Sequence, residues 1–131
     1  MAILVFVVDD TKKLSDLLAK ALSDSGLKVE RFYDAEAALA RAIERPPNIL
    51  ITDIEMPGMD GYTLACAVHE RNPLCEIVLM SANSLCDPDS SSRTNSIDSF
   101  TFIQKPFSLA QLLFLVACLT HQRPPNENGT A

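Results

Sequence analysis

The chain has 131 residues, of which 47% are apolar, and this length and composition predict one globular domain with a continuous core. Seventeen acidic residues against eleven Lys and Arg give a formal net charge of −6, which argues against binding to nucleic acid or to an anionic membrane. Four widely spaced cysteines and the lack of a leader-like or membrane-spanning run predict reduced thiols and a cytoplasmic location.

The first half of the chain alternates between predicted strands and helices. Residues 2–8 form a continuous apolar run that ends at Asp9-Asp10, typical of a strand buried on both faces of a parallel sheet. An amphipathic helix follows and ends at Gly26. Residues 27–33 predict a strand near the sheet edge, and Asp34 caps a second helix that ends before Pro46-Pro47.

The predicted inward faces of these two helices are apolar. They comprise Leu14, Leu17, Leu18, Ala21 and Leu22 in the first helix, and Ala35, Ala38, Leu39, Ala42 and Ile43 in the second.

The second half continues the alternation. Residues 49–53 predict a buried strand that ends in Asp53, followed by a turn and a helix over about 62–71. Strands are predicted at 76–81 and 100–104, and Ser108 caps a last helix over 109–121. The helix due between those strands, within residues 83–96, is expected to be short or disordered because proline and a serine run fill it.

Five strand–helix alternations imply a three-layer α/β sandwich. The carboxyl ends of its strands would bring Asp9, Asp10, Asp53, Ser81 and Lys105 to one crevice. Crowded carboxylates repel one another, and a hard divalent cation such as Mg²⁺ offsets this repulsion. Asp53 could then attack phosphorus as a carboxylate nucleophile, while the lysine and the hydroxyl hold the phosphoryl oxygens.

Four pieces of sequence together resemble the receiver domain of two-component response regulators, over residues 2–120. They are Val7-Val8-Asp9-Asp10, the stretch 51–61 (ITDIEMPGMDG), Met80-Ser81-Ala82 and Lys105-Pro106-Phe107. Each piece is common alone, but their order, spacing and strand-end positions make the combination specific. The resemblance implies a flavodoxin-like (βα)5 fold, like that of chemotaxis regulators, with a five-stranded parallel sheet in the order 2-1-3-4-5.

The resemblance implies that Asp53 is the phosphoacceptor, taking a phosphoryl group from a sensor histidine kinase or a histidine phosphotransfer protein. It also implies a site for Mg²⁺ or Mn²⁺ in which Asp10 and Asp53 are ligands. Asp9 would hold a metal-bound water, and the backbone carbonyl of Glu55 would be a further ligand.

The remaining implied roles concern signalling. Ser81 and Lys105 would contact the phosphoryl group, Ser81 and Phe102 would form the conformational switch, and the Lys105-Pro106 peptide would be cis. The protein would then be a switch and not an enzyme, with only its own phosphorylation and dephosphorylation as chemistry. The downstream partner is not identified by the sequence.

Three features depart from the family pattern. Residues 84–96 lack an amphipathic helix and are expected to be mobile. Glu55 either contacts a metal-bound water, alters the lifetime of the phosphoryl group, or is a solvated turn residue. The last helix is apolar nearly all round, so Phe114, Leu115 and Cys118 are predicted to take part in self-association or partner docking.

The expected organisation is a receiver domain over residues 1–121 and a disordered polar tail over 122–131. Because only about ten polar residues follow the last helix, a stand-alone receiver or a fragment of a longer protein is expected. One alternative is a degenerate receiver that acts as a phosphorylation-independent binding module. A remote alternative is an aspartyl-phosphate hydrolase, which normally has a second Asp where this chain has Glu55.

Overall fold

The computed structural model describes residues 3–82 and 100–122 and contains five strands and four helices within them. The strands are β1 (Leu4–Val8), β2 (Lys28–Phe32), β3 (Ile49–Asp53), β4 (Glu76–Ser81) and β5 (Phe100–Gln104). The helices are α1 (Lys12–Asp24), α2 (Ala35–Glu44), α3 (Gly61–Arg71) and α4 (Leu109–Gln122).

The five strands form one parallel sheet in the order β2-β1-β3-β4-β5. The predicted fold class and strand order are therefore confirmed. The helix expected within residues 83–96, its expected mobility and the predicted polar tail from residue 123 onward lie outside the described residues. Within the described ranges, no helix is both long enough and apolar enough to cross a membrane.

Each face of the sheet packs against a pair of helices. One core cluster joins α2 and α3 to the sheet, and alternate residues of the strands, such as Phe6, Leu50 and Leu79, point into it. The other joins α1 and α4 to the opposite face, where Val7 and Ile51 are buried. The continuous apolar runs of β1, β3 and β4 follow from this arrangement, because successive side chains of a strand serve opposite cores.

The predicted inward faces of α1 and α2 are wrong at two positions. Leu17 is 50% exposed and Ile43 is 51% exposed. The buried stripe of α1 is Ser15, Leu18, Ala19 and Leu22, which is rotated from the predicted one. An apolar pattern gives little weight to a serine or an alanine, yet these small residues occupy the face that meets the sheet.

Side-chain caps define the starts of α2, α3 and α4, whereas Thr11 at the start of α1 makes no side-chain cap. A carboxylate oxygen of Asp34 accepts a hydrogen bond from the Ala37 amide at 2.7 Å, as predicted for α2. Asp60 caps α3 in the same way, through the Thr63 amide at 2.8 Å. Such caps satisfy amides that have no partner within the helix.

The start of α4 forms a reciprocal capping box. The Gln111 amide donates to Ser108 Oγ at 3.1 Å, and the Ser108 amide donates to Gln111 Oε1 at 2.9 Å. The cap residue Ser108 lies three residues after Lys105, so the box fixes where the chain turns away from the sheet edge.

Candidate functional site

Four polar side chains that the sequence analysis singled out lie at the carboxyl ends of the strands. Asp53 and Ser81 are the last residues of β3 and β4, Asp9 directly follows β1, and Lys105 directly follows β5. Because all strands run in parallel, these positions share one edge of the sheet. Asp9, Asp53 and Ser81 are buried, whereas Asp10 is exposed.

Lys105 connects the first and third strand ends. Its Nζ atom donates a hydrogen bond to Asp9 Oδ2 at 3.0 Å and lies 3.4 Å from Asp53 Oδ1. The other oxygen of Asp9 accepts a hydrogen bond from the Thr11 amide at 2.8 Å. Both oxygens of Asp9 are thus engaged, so this carboxylate is held in place by the protein itself.

The backbone of Lys105 is also held. Its amide donates to the carbonyl of Ser81 at 2.7 Å, and the Lys105-Pro106 peptide is cis. A cleft of about 390 Å³ opens beside this turn and is lined by Leu14, Ala82, Lys105, Pro106 and Phe107.

Asp53 has an unusual electrostatic environment. Its side chain is 6% exposed, and burial, followed by the negative charges of Asp9 and Glu55, raises the pKa of its carboxyl to about 6. The Lys105 ammonium opposes this shift. Burial disfavours the charged form of Lys105 as well, but the neighbouring Asp9 and Asp53 carboxylates outweigh that effect and raise the pKa of the ammonium.

The donor set fits a hard divalent cation. The carboxylates of Asp9, Asp10 and Asp53 offer one oxygen each within 4.8 Å of one another. Asp53 Oδ1 is buried and accepts no hydrogen bond from the described residues. Three carboxylates beside one ammonium leave a formal charge of −2, and oxygen ligands of this charge are those that Mg²⁺ binds.

The loop between β3 and α3, residues 54–60, is fixed at both ends and in its middle. The Ile54 amide donates to the Met80 carbonyl at 2.9 Å, and the Gly61 amide donates to the Ile54 carbonyl at 2.9 Å. Near the middle, the Met59 amide donates to Glu36 Oε2 of α2 at 3.1 Å. The backbone that follows Asp53 is therefore held in one conformation.

Gly61 packs directly behind Asp53. A Cβ atom at this position would overlap the backbone carbonyl of Asp53 and press on Thr52 Oγ1. Only glycine allows α3 to start this close to the end of β3. Gly61 thus positions the carboxylate without touching it, a role that sequence reasoning missed because a glycine after an acidic cap predicts only a turn.

Ser81 forms a hydrogen bond with the residue whose role the sequence leaves open. Its Oγ atom donates to Glu55 Oε2 at 2.6 Å, within the short range of a hydroxyl bound to a carboxylate. Glu55 itself is an exposed residue. The hydroxyl at the end of β4 is thereby tied to the loop that follows Asp53, a contact that sequence spacing did not reveal.

The other predicted residues pack against the two cores or lie on the surface of α4. Phe102 is half-buried against the core cluster of α2 and α3. On α4, Phe114 is 72% exposed, Cys118 is half-buried, and Leu115 packs partly against the core on the α1 side. Of these three residues, Phe114 is therefore the one that the described part of the chain leaves most exposed.

The chain matches known proteins over most of its length. Residues 5–117 match the family model of the response regulator receiver domain. The DNA-binding transcriptional regulator NtrC of Salmonella typhimurium is 33% identical over 113 residues, which is 86% of this chain and 24% of that protein. The transcriptional regulatory protein PrrA of Mycobacterium leprae is 31% identical and covers 91% of this chain, which spans 50% of it.

The chain thus spans about a quarter to a half of the length of these relatives. Among solved structures, the apo receiver domain of nitrogen regulatory protein C is 31% identical, with a TM-score of 0.75 over 91% of this chain and 95% of that one. The chemotaxis protein CheY4 of Vibrio cholerae, at 24% identity, shares the fold with a TM-score of 0.80 over 91% and 99%. The family match, the strand order and the cluster of acidic side chains agree, and the chain belongs to the response regulator receiver domain family.

Proposed function

We propose that this receiver domain accepts a phosphoryl group on Asp53, with Mg²⁺ or Mn²⁺, from the phosphohistidine of a sensor histidine kinase or a histidine phosphotransfer protein. The observation that carries the proposal is the state of Asp53. Its carboxylate is buried at the end of β3, lies 3.4 Å from the Lys105 ammonium, and has an oxygen to which no described residue donates a hydrogen bond.

The transfer itself needs a nucleophilic oxygen and a stabilised phosphoryl group. A pKa of about 6 leaves Asp53 mostly ionised near neutral pH. A carboxylate oxygen attacks phosphorus, the new O–P bond forms as the P–N bond to the donor imidazole breaks, and the bond's electron pair leaves with that nitrogen. Lys105, which already lies between Asp9 and Asp53, would bind an oxygen of the transferred group.

The acidic residues would hold the metal ion. Asp10, Asp53 and the carbonyl oxygen of Glu55 are the proposed ligands, with Asp9 holding a bound water. When bound, the divalent cation supplies positive charge that offsets the repulsion between the carboxylates and the incoming phosphoryl group. The hydrogen bonds that fix Asp9 and the 54–60 loop support these two roles, because they hold the Asp9 carboxylate and the backbone around Glu55 before any ion arrives.

Signalling would follow from a change at Ser81 and Phe102. In the proposed phosphorylated state the Ser81 hydroxyl donates to a phosphoryl oxygen, and Phe102 turns further inward to fill the space that this movement opens. The half-buried position of Phe102 against the core supports the proposal, since a small rotation changes how much of the ring is exposed.

The proposal is tested by incubating the protein with acetyl phosphate and Mg²⁺ and measuring its intact mass. The wild type is expected to gain one phosphoryl group, while Asp53→Asn and the wild type in EDTA gain none. A modified Asp53→Asn protein, or a wild type that stays unmodified, would refute the assignment of Asp53. Asp24→Asn, an exposed carboxylate on α1, is the matched control and is expected to be modified like the wild type.

Three further features are part of the proposal. The domain would extend over residues 1–121 and would work in the cytoplasm, where thiols such as those of Cys66 and Cys118 stay reduced. Self-association would use α4, where Phe114 is the most exposed large apolar side chain of that helix. Sedimentation of Phe114→Ala beside the wild type tests this, and equal masses at high concentration would contradict it.

A further inference from the structure

The hydroxyl of Ser81 is already occupied in the unmodified protein. It donates a 2.6 Å hydrogen bond to the carboxylate of Glu55. A hydroxyl has one proton and can therefore donate to only one acceptor at a time. The same proton is needed for a phosphoryl oxygen if Ser81 is to contact the modified Asp53.

We infer that Glu55 is a latch that holds Ser81 in the unmodified state and must release it when Asp53 is phosphorylated, an inference that rests on the function proposed above. Glu55 is thus a positioning residue for the switch and not a residue of the phosphoryl transfer. The strength of the hydrogen bond between Ser81 and Glu55 sets how readily the domain moves into the phosphorylated conformation.

The surroundings of the two residues favour a hold that can be released. Ser81 is completely buried at the end of β4, so its hydroxyl requires a partner in either state. Glu55 is exposed, so water can solvate its carboxylate once Ser81 has left. Releasing the latch therefore leaves no buried charge without a partner. Exchanging the Glu55 carboxylate for a phosphoryl oxygen as the acceptor then has a small free-energy cost.

The phosphoryl group itself weakens the latch. The negative charge of Glu55 is close enough to Asp53 to contribute to the raised pKa of its carboxyl. A phosphoryl group on Asp53 adds up to two more negative charges at pH 7. Repulsion then disfavours Glu55 near the site at the moment when the competing acceptor for the Ser81 proton arrives.

The position of Glu55 means that the exchange of acceptors requires only local movement. The loop that carries it is fixed by the bonds from Ile54 to Met80 and from Gly61 to Ile54. Because the backbone on both sides is held, release requires rotation of the Glu55 and Ser81 side chains and no rearrangement of the sheet. Side-chain rotation is much faster than loop or domain movement.

The test is a double-mutant cycle with beryllofluoride, a mimic of the phosphoryl group, at saturating Mg²⁺. The affinity is measured for the wild type, Glu55→Ala, Ser81→Ala and the double variant. When Ser81 is present, Glu55→Ala removes the hydrogen bond that holds the hydroxyl, and the variant is expected to bind beryllofluoride about tenfold more tightly than the wild type. In the Ser81→Ala background the same Glu55 change is expected to have a smaller effect, due only to charge.

Two variants separate the latch from simple charge removal. Glu55→Gln keeps an acceptor oxygen but no charge. Its affinity for beryllofluoride is expected to lie between those of the wild type and Glu55→Ala. Glu70→Ala removes an exposed carboxylate of α3 and is expected to leave the affinity within about twofold, because exposed distant charges are screened. Equal effects of Glu55→Ala in both Ser81 backgrounds would overturn the latch.

A second readout comes from the unmodified protein. The χ1 rotamer of Ser81, measured from couplings between its Hα and Hβ protons, is expected to be single in the wild type and to have a different distribution in Glu55→Ala. An unchanged rotamer distribution would overturn the latch even if the affinities change. If the wild type binds no beryllofluoride, or Asp53→Asn binds it equally well, the proposed function fails and the latch fails with it. If only the latch is wrong, the wild type still binds beryllofluoride and Asp53→Asn still binds it less well.

Discussion

The buried carboxylate of Asp53 is expected to destabilise the metal-free fold at neutral pH. Its pKa is raised from 3.8 to about 6, mainly because burial disfavours the charged form. When the folded pKa of an acid lies above the unfolded one, stability is highest below both values and falls as the pH rises between them. The loss therefore develops between about pH 4 and pH 6 and is constant above that range.

The size of this effect follows from the same two values. The difference between 3.8 and about 6 corresponds to about 3 kcal/mol of folding free energy above pH 6. Asp53→Asn removes the charge and keeps the shape, but its amide must still be accommodated in the buried site. We therefore expect the variant to be about 2 kcal/mol more stable than the wild type at about pH 7.5 in EDTA.

The assay is urea unfolding followed by circular dichroism at several pH values between about 4 and 7.5. At the acid end, where Asp53 is neutral, the variant is expected to be slightly less stable than the wild type because its amide must be accommodated, and the difference is expected to reverse and grow as the pH rises. Saturating Mg²⁺ is expected to reduce the stability advantage of the variant, because the cation binds the folded wild type more tightly than it binds folded Asp53→Asn. Asp24→Asn on the exposed end of α1 is the control and should change stability by less than about 0.5 kcal/mol.

A wild type that is more stable than Asp53→Asn in EDTA at every pH would refute this reasoning. A constant difference, independent of pH, would also contradict it, because the linkage between proton binding and folding requires the gap to change between the two pKa values.

Three further sets of substitutions test how the sequence supports the fold and the site. Gly61→Ala forces a Cβ against the backbone of the proposed phosphoacceptor, so it should lower folding stability by more than about 2 kcal/mol and slow phosphorylation by acetyl phosphate. Gly26→Ala is strained only by its φ of 93°. It should lower stability by about 1 kcal/mol and leave phosphorylation unchanged. Lys105→Met leaves a buried carboxylate without its ammonium and should lower stability near pH 7 by about 3 kcal/mol, a loss that shrinks as the pH falls; an equal loss at all pH values in urea unfolding would contradict it. Leu22→Ala should cost about 3 kcal/mol and Leu17→Ala less than about 1 kcal/mol, since only the first side chain is buried; similar losses would show that the predicted face of α1 was right.

The parts of the fold that the sequence predicted well are those with a strong local signal. The apolar runs of β1, β3 and β4 are long and rich in β-branched residues, and each is bounded by a polar residue that ends it. Asp34 and Ser108 have the side chains that cap helices, so the starts of α2 and α4 were also predictable. Such signals lie within a few residues of the feature they define.

Other features depend on three-dimensional contacts that a pattern does not contain. The apolar spacing of α1 is consistent with two neighbouring faces, and the choice of Ser15 over Leu17 is made by packing against the sheet. At the site, strand ends predicted which side chains meet, because parallel strands share an edge. The hydrogen bond from Ser81 to Glu55 depends on side-chain rotamers, and the tight approach of Gly61 depends on where α3 meets β3.

The most direct test of the central claim is to locate the phosphoryl group itself. The protein is phosphorylated with acetyl phosphate and Mg²⁺ and then reduced with borohydride, which converts an aspartyl phosphate into homoserine while unmodified carboxylates stay as they are. Peptide mass spectrometry then identifies the converted residue. We expect homoserine at position 53 alone. Conversion of Asp9 or Asp10, or no conversion anywhere in a folded protein with bound Mg²⁺, would contradict the assignment of Asp53 as the phosphoacceptor.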